Sequence, residues 1–82
     1  MKPGDVVCLR DDRIVVQLLN DSLENKTNVR DRIVTEPYEV IPFRRGDVAT
    51  VIEINKKNIA RVKVLYKSGV WWGNVSDMFV IE

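Results

Sequence analysis

The chain of 82 residues reads as an all-β protein, a small antiparallel barrel of five or more short strands. Three observations point there. Its apolar residues fall in short runs rich in Val and Ile, parted by Pro, Gly, Asn and Asp. One run, Ile59 to Tyr66, alternates plainly between apolar and polar positions. No segment has the length and period of a long helix, and closely spaced short strands with turn signals favour a closed or half-closed sheet.

Each element has its own justification. Pro3-Gly4-Asp5 makes a turn and releases a first strand, Val6 to Leu9. Arg13 to Leu19 is a second β-prone run with three β-branched residues in succession. Asn20 to Arg32 is polar and does not alternate. Asp21 and Glu24 have capping-box spacing, but with only Leu23 and Val29 as apolar anchors the segment reads as a loop. Pro37 and Pro42 make the stretch Ile33 to Phe43 an irregular or edge strand, because proline cannot donate to a central ladder. Gly46-Asp47 opens a strong strand, Val48 to Ile54, and Lys56-Lys57-Asn58 turns the chain into Ile59 to Tyr66. Val70 to Asn74 returns, Ser76-Asp77 makes a polar corner, and Phe79 to Ile81 closes the chain. The Gly-Asp-Val triplet stands at two strand entrances, and we read it as one local turn solution used twice.

Composition narrows the class. A chain this short is one domain, residues 1–82, burying roughly 60–65% of its unfolded surface. Lys and Arg number 13 against 12 Asp and Glu, a net charge of +1 that is low for a dedicated nucleic-acid binder. With no histidine and one cysteine, zinc sites and histidine-assisted nucleophiles are excluded, and no disulfide can form within the chain. Cys8 in Val-Val-Cys-Leu-Arg reads as a buried strand thiol. Asp11 and Asp12 are adjacent and point apart in an extended chain, a poor geometry for a metal or acid–base pair. We expect no catalytic residue, no metal and no cofactor. No apolar run approaches the ~20 residues of a membrane span and no signal-peptide pattern opens the chain, so the expected address is the cytoplasm.

The segments Gly46 to Ile54, Ala60 to Trp72 and Ser76 to Glu82 resemble the Src-homology-3-like small barrels of bacterial and phage proteins. Those show a Gly-Asp turn, a Val/Ile strand, an apolar hairpin with a Gly turn, a Trp on the return strand and an Asp-Leu-x-x-Ile-like close. The resemblance covers Gly46 to Glu82, with Gly4 to Leu9 as first strand. It implies a bacterial or phage origin and a Src-homology-3-like fold, with residues 10–45 as an extended loop or insert. That insert could hold an extra hairpin from Ile14–Leu19 and Tyr38–Phe43. The proline-peptide groove of eukaryotic signalling domains does not carry over, because there the long hairpin follows the Trp pair and here it precedes it. Such barrels serve peptide-binding, nucleic-acid-binding and scaffold roles alike.

Trp71 and Trp72 are neighbours on one strand, so their rings leave opposite faces. The hairpin turn decides which goes inside. A three-residue loop, Lys67-Ser68-Gly69, needs only Gly69 in the left-handed region and opposes Leu65 to Trp71 and Val64 to Trp72. Trp72 then faces the core and Trp71 faces out beside Leu65, Lys63, Arg61 and Lys67. That set could bind protein, stack and neutralise single-stranded nucleic acid, or lie beneath the Asn20–Glu36 loop. Phe43, Arg44 and Arg45 form a second basic–aromatic spot. Arg45-Gly46-Asp47 spells an adhesion tripeptide, a match too short to weigh at a strand entrance. The expectation is a non-enzymatic protein-interaction module. Nucleic-acid binding and homo-oligomerisation are its alternatives.

Overall fold

A computed structural model describes residues 1–21 and 40–81. Within them the strands are β1 (Val6–Leu9), β2 (Val15–Asn20), β3 (Val40–Arg44), β4 (Val48–Ile54), β5 (Arg61–Tyr66), β6 (Gly69–Asn74) and β7 (Met78–Val80). A 3-10 turn, Val75–Asp77, leads into β7. The strands join in one antiparallel sheet of order β3-β2-β6-β5-β4-β1-β7. The loop expected after Asn20 lies, beyond Asp21, outside the described residues.

The all-β reading holds, but the barrel does not. The sheet is open, with β3 and β7 as its two edges and no ladder between them. The expected Src-homology-3-like closure, and the resemblance that implied it, are corrected by this topology. Closure would need a ladder between a strand of three residues and one whose centre is Pro42, which has no N–H to give. The two segments expected to make an extra hairpin do pair, Val15 opposite Arg44 through Leu19 opposite Val40. They extend the sheet through β2, which also pairs with β6.

One face of the sheet holds the core. Val7, Leu9, Leu18, Phe43, Ala49, Val51, Val62, Val64, Tyr66 and Met78 form one buried cluster drawn from six strands. Alternation explains most of it: Val7 and Leu9 go in, so Cys8 between them points out and is half-buried, not sealed as expected. In β4, strict alternation would send Glu53 inward after Ala49 and Val51. A register shift between Val51 and Glu53 prevents this. Glu53 then lies opposite Lys63, while Ile54 packs against the core.

The repeated Gly-Asp turn is a repeat in geometry as well. Gly4 and Gly46 have φ of +93° and +97°, a region open to glycine. Asp5 N–H donates to the Lys2 carbonyl (3.1 Å), and Lys2 N–H donates to the Asp5 carboxylate (2.9 Å). Asp47 does the same with Arg44, at 3.0 Å in both bonds.

The β5–β6 hairpin differs from expectation in one residue of register. Its loop is Lys67-Ser68, with Tyr66 opposite Gly69 and Val64 opposite Trp71. Both loop residues take positive φ, +49° and +61°, the pattern of a type I′ turn. Gly69 is needed for a different reason. A Cβ there would stand 2.7 Å from the Trp71 indole nitrogen, because that ring folds back over it.

Candidate interaction face

The one-residue change exchanges the two indoles. Trp71 shares the inner face with Val62, Val64 and Tyr66, packs against the core while half-buried, and donates to the Tyr66 carbonyl at 3.1 Å. Trp72 shares the outer face with Lys63 and Leu19, the residues opposite it on β5 and β2. It is nevertheless only 4% exposed. Its indole N–H donates to Asp21 (2.7 Å), and the Lys63 ammonium lies 5.8 Å from the ring centroid.

The cations expected around an exposed Trp71 are arranged otherwise. Lys63 donates to Glu53 at 3.0 Å and stands 3.7 Å from Asp21. The bond to Glu53, with Asp21 nearby, holds its ammonium above the ordinary lysine range. Arg61 donates to the Asn74 side chain at 2.9 Å. Lys67 lies over the Tyr66 ring, 5.5 Å from its centroid. A shallow depression of about 300 Å³ lies beside Trp72, lined by Glu53, Asn55, Lys56 and Lys57.

The second expected spot is taken up by the fold. Phe43 is fully buried and meets Tyr66 edge to face, centroids 5.1 Å apart. The Tyr66 hydroxyl donates to Asp47 at 2.5 Å. That bond and the Arg44 N–H hold the Asp47 carboxyl below its ordinary range. Burial, with the same bond, pushes Tyr66 up to about 12. Arg44 is exposed, while the Arg45 guanidinium donates to the backbone carbonyls of Arg13 (3.1 Å) and Asp11. The Arg-Gly-Asp tripeptide therefore has its guanidinium and its carboxylate engaged within the fold.

What the outer face does present is apolar. Directly opposed residues of neighbouring strands share a face. One register row runs Val6, Thr50, Leu65, Val70 across β1, β4, β5 and β6. Ile81 extends it beyond β7 through its N–H bond to the Val6 carbonyl. The next row runs Phe79, Cys8, Val48 across β7, β1 and β4. Val6, Val48, Leu65, Phe79 and Ile81 are 40–53% exposed. Neither row contains a charged residue.

Charges border the patch instead. Arg10 and Asp77 follow at the Phe79 end, where the Arg10 N–H donates to the Asp77 carbonyl at 2.9 Å. A depression of about 430 Å³ there is lined by Arg10, Asp11, Asp12 and Phe79. At the other end stand Lys63 and Glu53. Of the residues expected in the site, only Leu65 belongs to this patch, with Lys67 at its margin. Val6, Val48, Phe79 and Ile81 were not among the expected site residues, which centred on the Trp pair of β6. The signal was present: Val6 and Val48 each follow a Gly-Asp turn, and each is one residue out of step with the buried set of its strand.

Among the described residues no group of three or more His, Cys, Asp and Glu could hold a metal. No helix among them is long and apolar enough to cross a membrane. Comparison with family models, curated proteins and solved structures finds no match for the chain.

Proposed function

We propose that this chain acts by binding protein and not by catalysis, through the outer face of β7, β1, β4 and β5. The observation that carries the reading is the pair of charge-free register rows holding five large apolar side chains at 40–53% exposure. Single exposed apolar residues are ordinary on a protein surface, whereas a contiguous set with a charged border is a mark of interaction sites. The central strands supply a firm platform, and the border of Arg10, Asp11, Asp12, Lys63 and Glu53 matches the polar rim such sites carry. The unpaired Cys8 fits the reducing cytoplasm. Protein is favoured over nucleic acid because, among the described residues, Trp71 lies on the face opposite Lys63, Trp72 beside Lys63 is only 4% exposed, and the cations nearest Trp72 and Phe79, Lys63 and Arg10, are paired with Glu53 and Asp12.

A photo-crosslinking residue at Val48, compared with one at Lys57 on the β4–β5 loop, tests this in cells producing the chain. Discrete adducts from position 48 and none from position 57 are expected. No adduct from position 48, or the same adducts from both, would remove the proposed face.

A further inference from the structure

We propose that the occupant of this face is a second copy of the chain, packed sheet against sheet, an inference that rests on the binding face proposed above. The two edges of the sheet are poor routes to self-assembly. β7 offers only three residues, and β3 carries Pro42 at its centre; short strands and proline both discourage edge pairing. Among the described residues, the face is the broad apolar surface left for self-association.

Its area is sufficient. With ordinary side-chain areas, the exposed parts of Ile81, Val6, Thr50, Leu65, Phe79 and Val48 amount to roughly 500 Å². Two copies would bury about 1,000 Å² before any border contact, which reaches the lower bound for a specific interface.

Its charges also suit a twofold contact. An isologous interface sets the same patch against itself, so a border of one sign would repel. Here both signs stand at each end: Arg10 lies 3.7 Å from Asp12 beyond Phe79, and Lys63 lies 3.0 Å from Glu53 beyond Leu65. No orientation of the second copy opposes like charges alone. A net charge of +1 adds little long-range repulsion. Inner-face packing of this kind holds β-sandwich sheets about 10 Å apart, a separation that short Val, Thr and Cys side chains can fill.

Sedimentation equilibrium of the full chain, at loadings from roughly 1 to 500 µM, should show a monomer–dimer equilibrium in the micromolar range or tighter. Leu65→Glu and, separately, Val48→Glu should each raise the dissociation constant roughly tenfold or more while circular dichroism stays unchanged. Cys8, within the contact, should react more slowly with a thiol reagent as the protein is concentrated. A monomer throughout that range, or a dimer indifferent to both substitutions, would overturn the proposal. If the chain is monomeric and position 48 still crosslinks to a different protein, the binding face stands and only the second copy is discarded.

Discussion

Tyr66→Phe removes one oxygen from a short, part-buried polar contact of the fold, and its cost can be worked from the geometry. The hydroxyl is a donor to an ionised carboxylate at 2.5 Å, and the ring beneath it is buried against Phe43. A hydrogen bond to a charged group contributes about 1.5–3 kcal/mol. Asp47 keeps its bond from Arg44 N–H and some access to water, so the lower half of that range applies, about 1.5–2 kcal/mol. For a domain of this size, such a loss lowers Tm by roughly 6–15 °C. The pH dependence is the sharper signature. Tyr66 is raised to about 12 from 10.0, so its contribution is complete below pH 10 and is lost as pH climbs toward 12. Two units correspond to stability on the order of 3 kcal/mol, set first by burial of the phenol and then by its bond to Asp47. Asp47 is shifted the other way: its contribution is present above its ordinary value of 3.8 and is lost as pH falls through its depressed one. Urea unfolding followed by tryptophan fluorescence, with wild type and variant measured side by side, isolates both arms. The comparison also cancels Lys63, whose raised value gives stability that is likewise lost in alkali. The stability gap should be widest between the two arms, narrow in acid, and close and then reverse in alkali, where only the wild type has a phenol to ionise at this position. A variant within about 0.5 kcal/mol of wild type near pH 7, with parallel curves from pH 10 to 12, would refute the assigned bond.

Two further substitutions test the backbone. Ser68→Gly relieves a non-glycine residue at φ +61° in a two-residue turn and should stabilise by about 1 kcal/mol, read as a higher urea midpoint at unchanged slope; a loss of stability would favour the three-residue loop. Gly73→Ala places a Cβ 2.5 Å from the Met78 methyl and 2.8 Å from a Leu18 methyl, so destabilisation of about 1–3 kcal/mol is expected in the same assay. A neutral result would mean that Leu18 and Met78 do not meet over β6.

Strand positions were legible in the sequence because alternation and punctuation are local. β1 and β4 carry the expected bounds, Val6–Leu9 and Val48–Ile54, and the shared Gly-Asp turn was visible as a triplet. Closure was not legible, because it depends on which strands meet across the whole chain and on the length of the last one. The faces of the two indoles were exchanged by a single turn. A preference for glycine at positive φ placed Gly69 in the loop, whereas Lys67 and Ser68 bear the strained dihedrals and Gly69 makes room for a ring. Such a steric demand arises from a residue two positions away folding back, and no propensity scale contains it. Because side chains alternate with period two, a slip of one residue sufficed to send the wrong indole outward. Leu65 survived the slip because it lies on β5, whose faces the turn does not alter.

The placement of the apolar patch follows from how β1 and β4 are fastened. They are antiparallel neighbours, with Val7 opposite Ala49, so their two Gly-Asp turns sit at opposite ends of one ribbon. Each end is closed by a backbone bond and a carboxylate bond within its turn, and Asp47 is tied further to Tyr66 on β5. The Gly4 N–H reaches the Val51 carbonyl at 2.9 Å, and the Val51 N–H reaches the Asp5 carbonyl at 2.8 Å. Val6, Cys8, Val48 and Thr50 project from the outer side of this ribbon, while Val7, Ala49 and Val51 anchor its inner side in the core. A surface held this way loses little backbone freedom when it is covered. The proposed binding would then keep more of the apolar gain that a patch of about 500 Å² can provide, an economy that suits so small a face to the contact inferred for it.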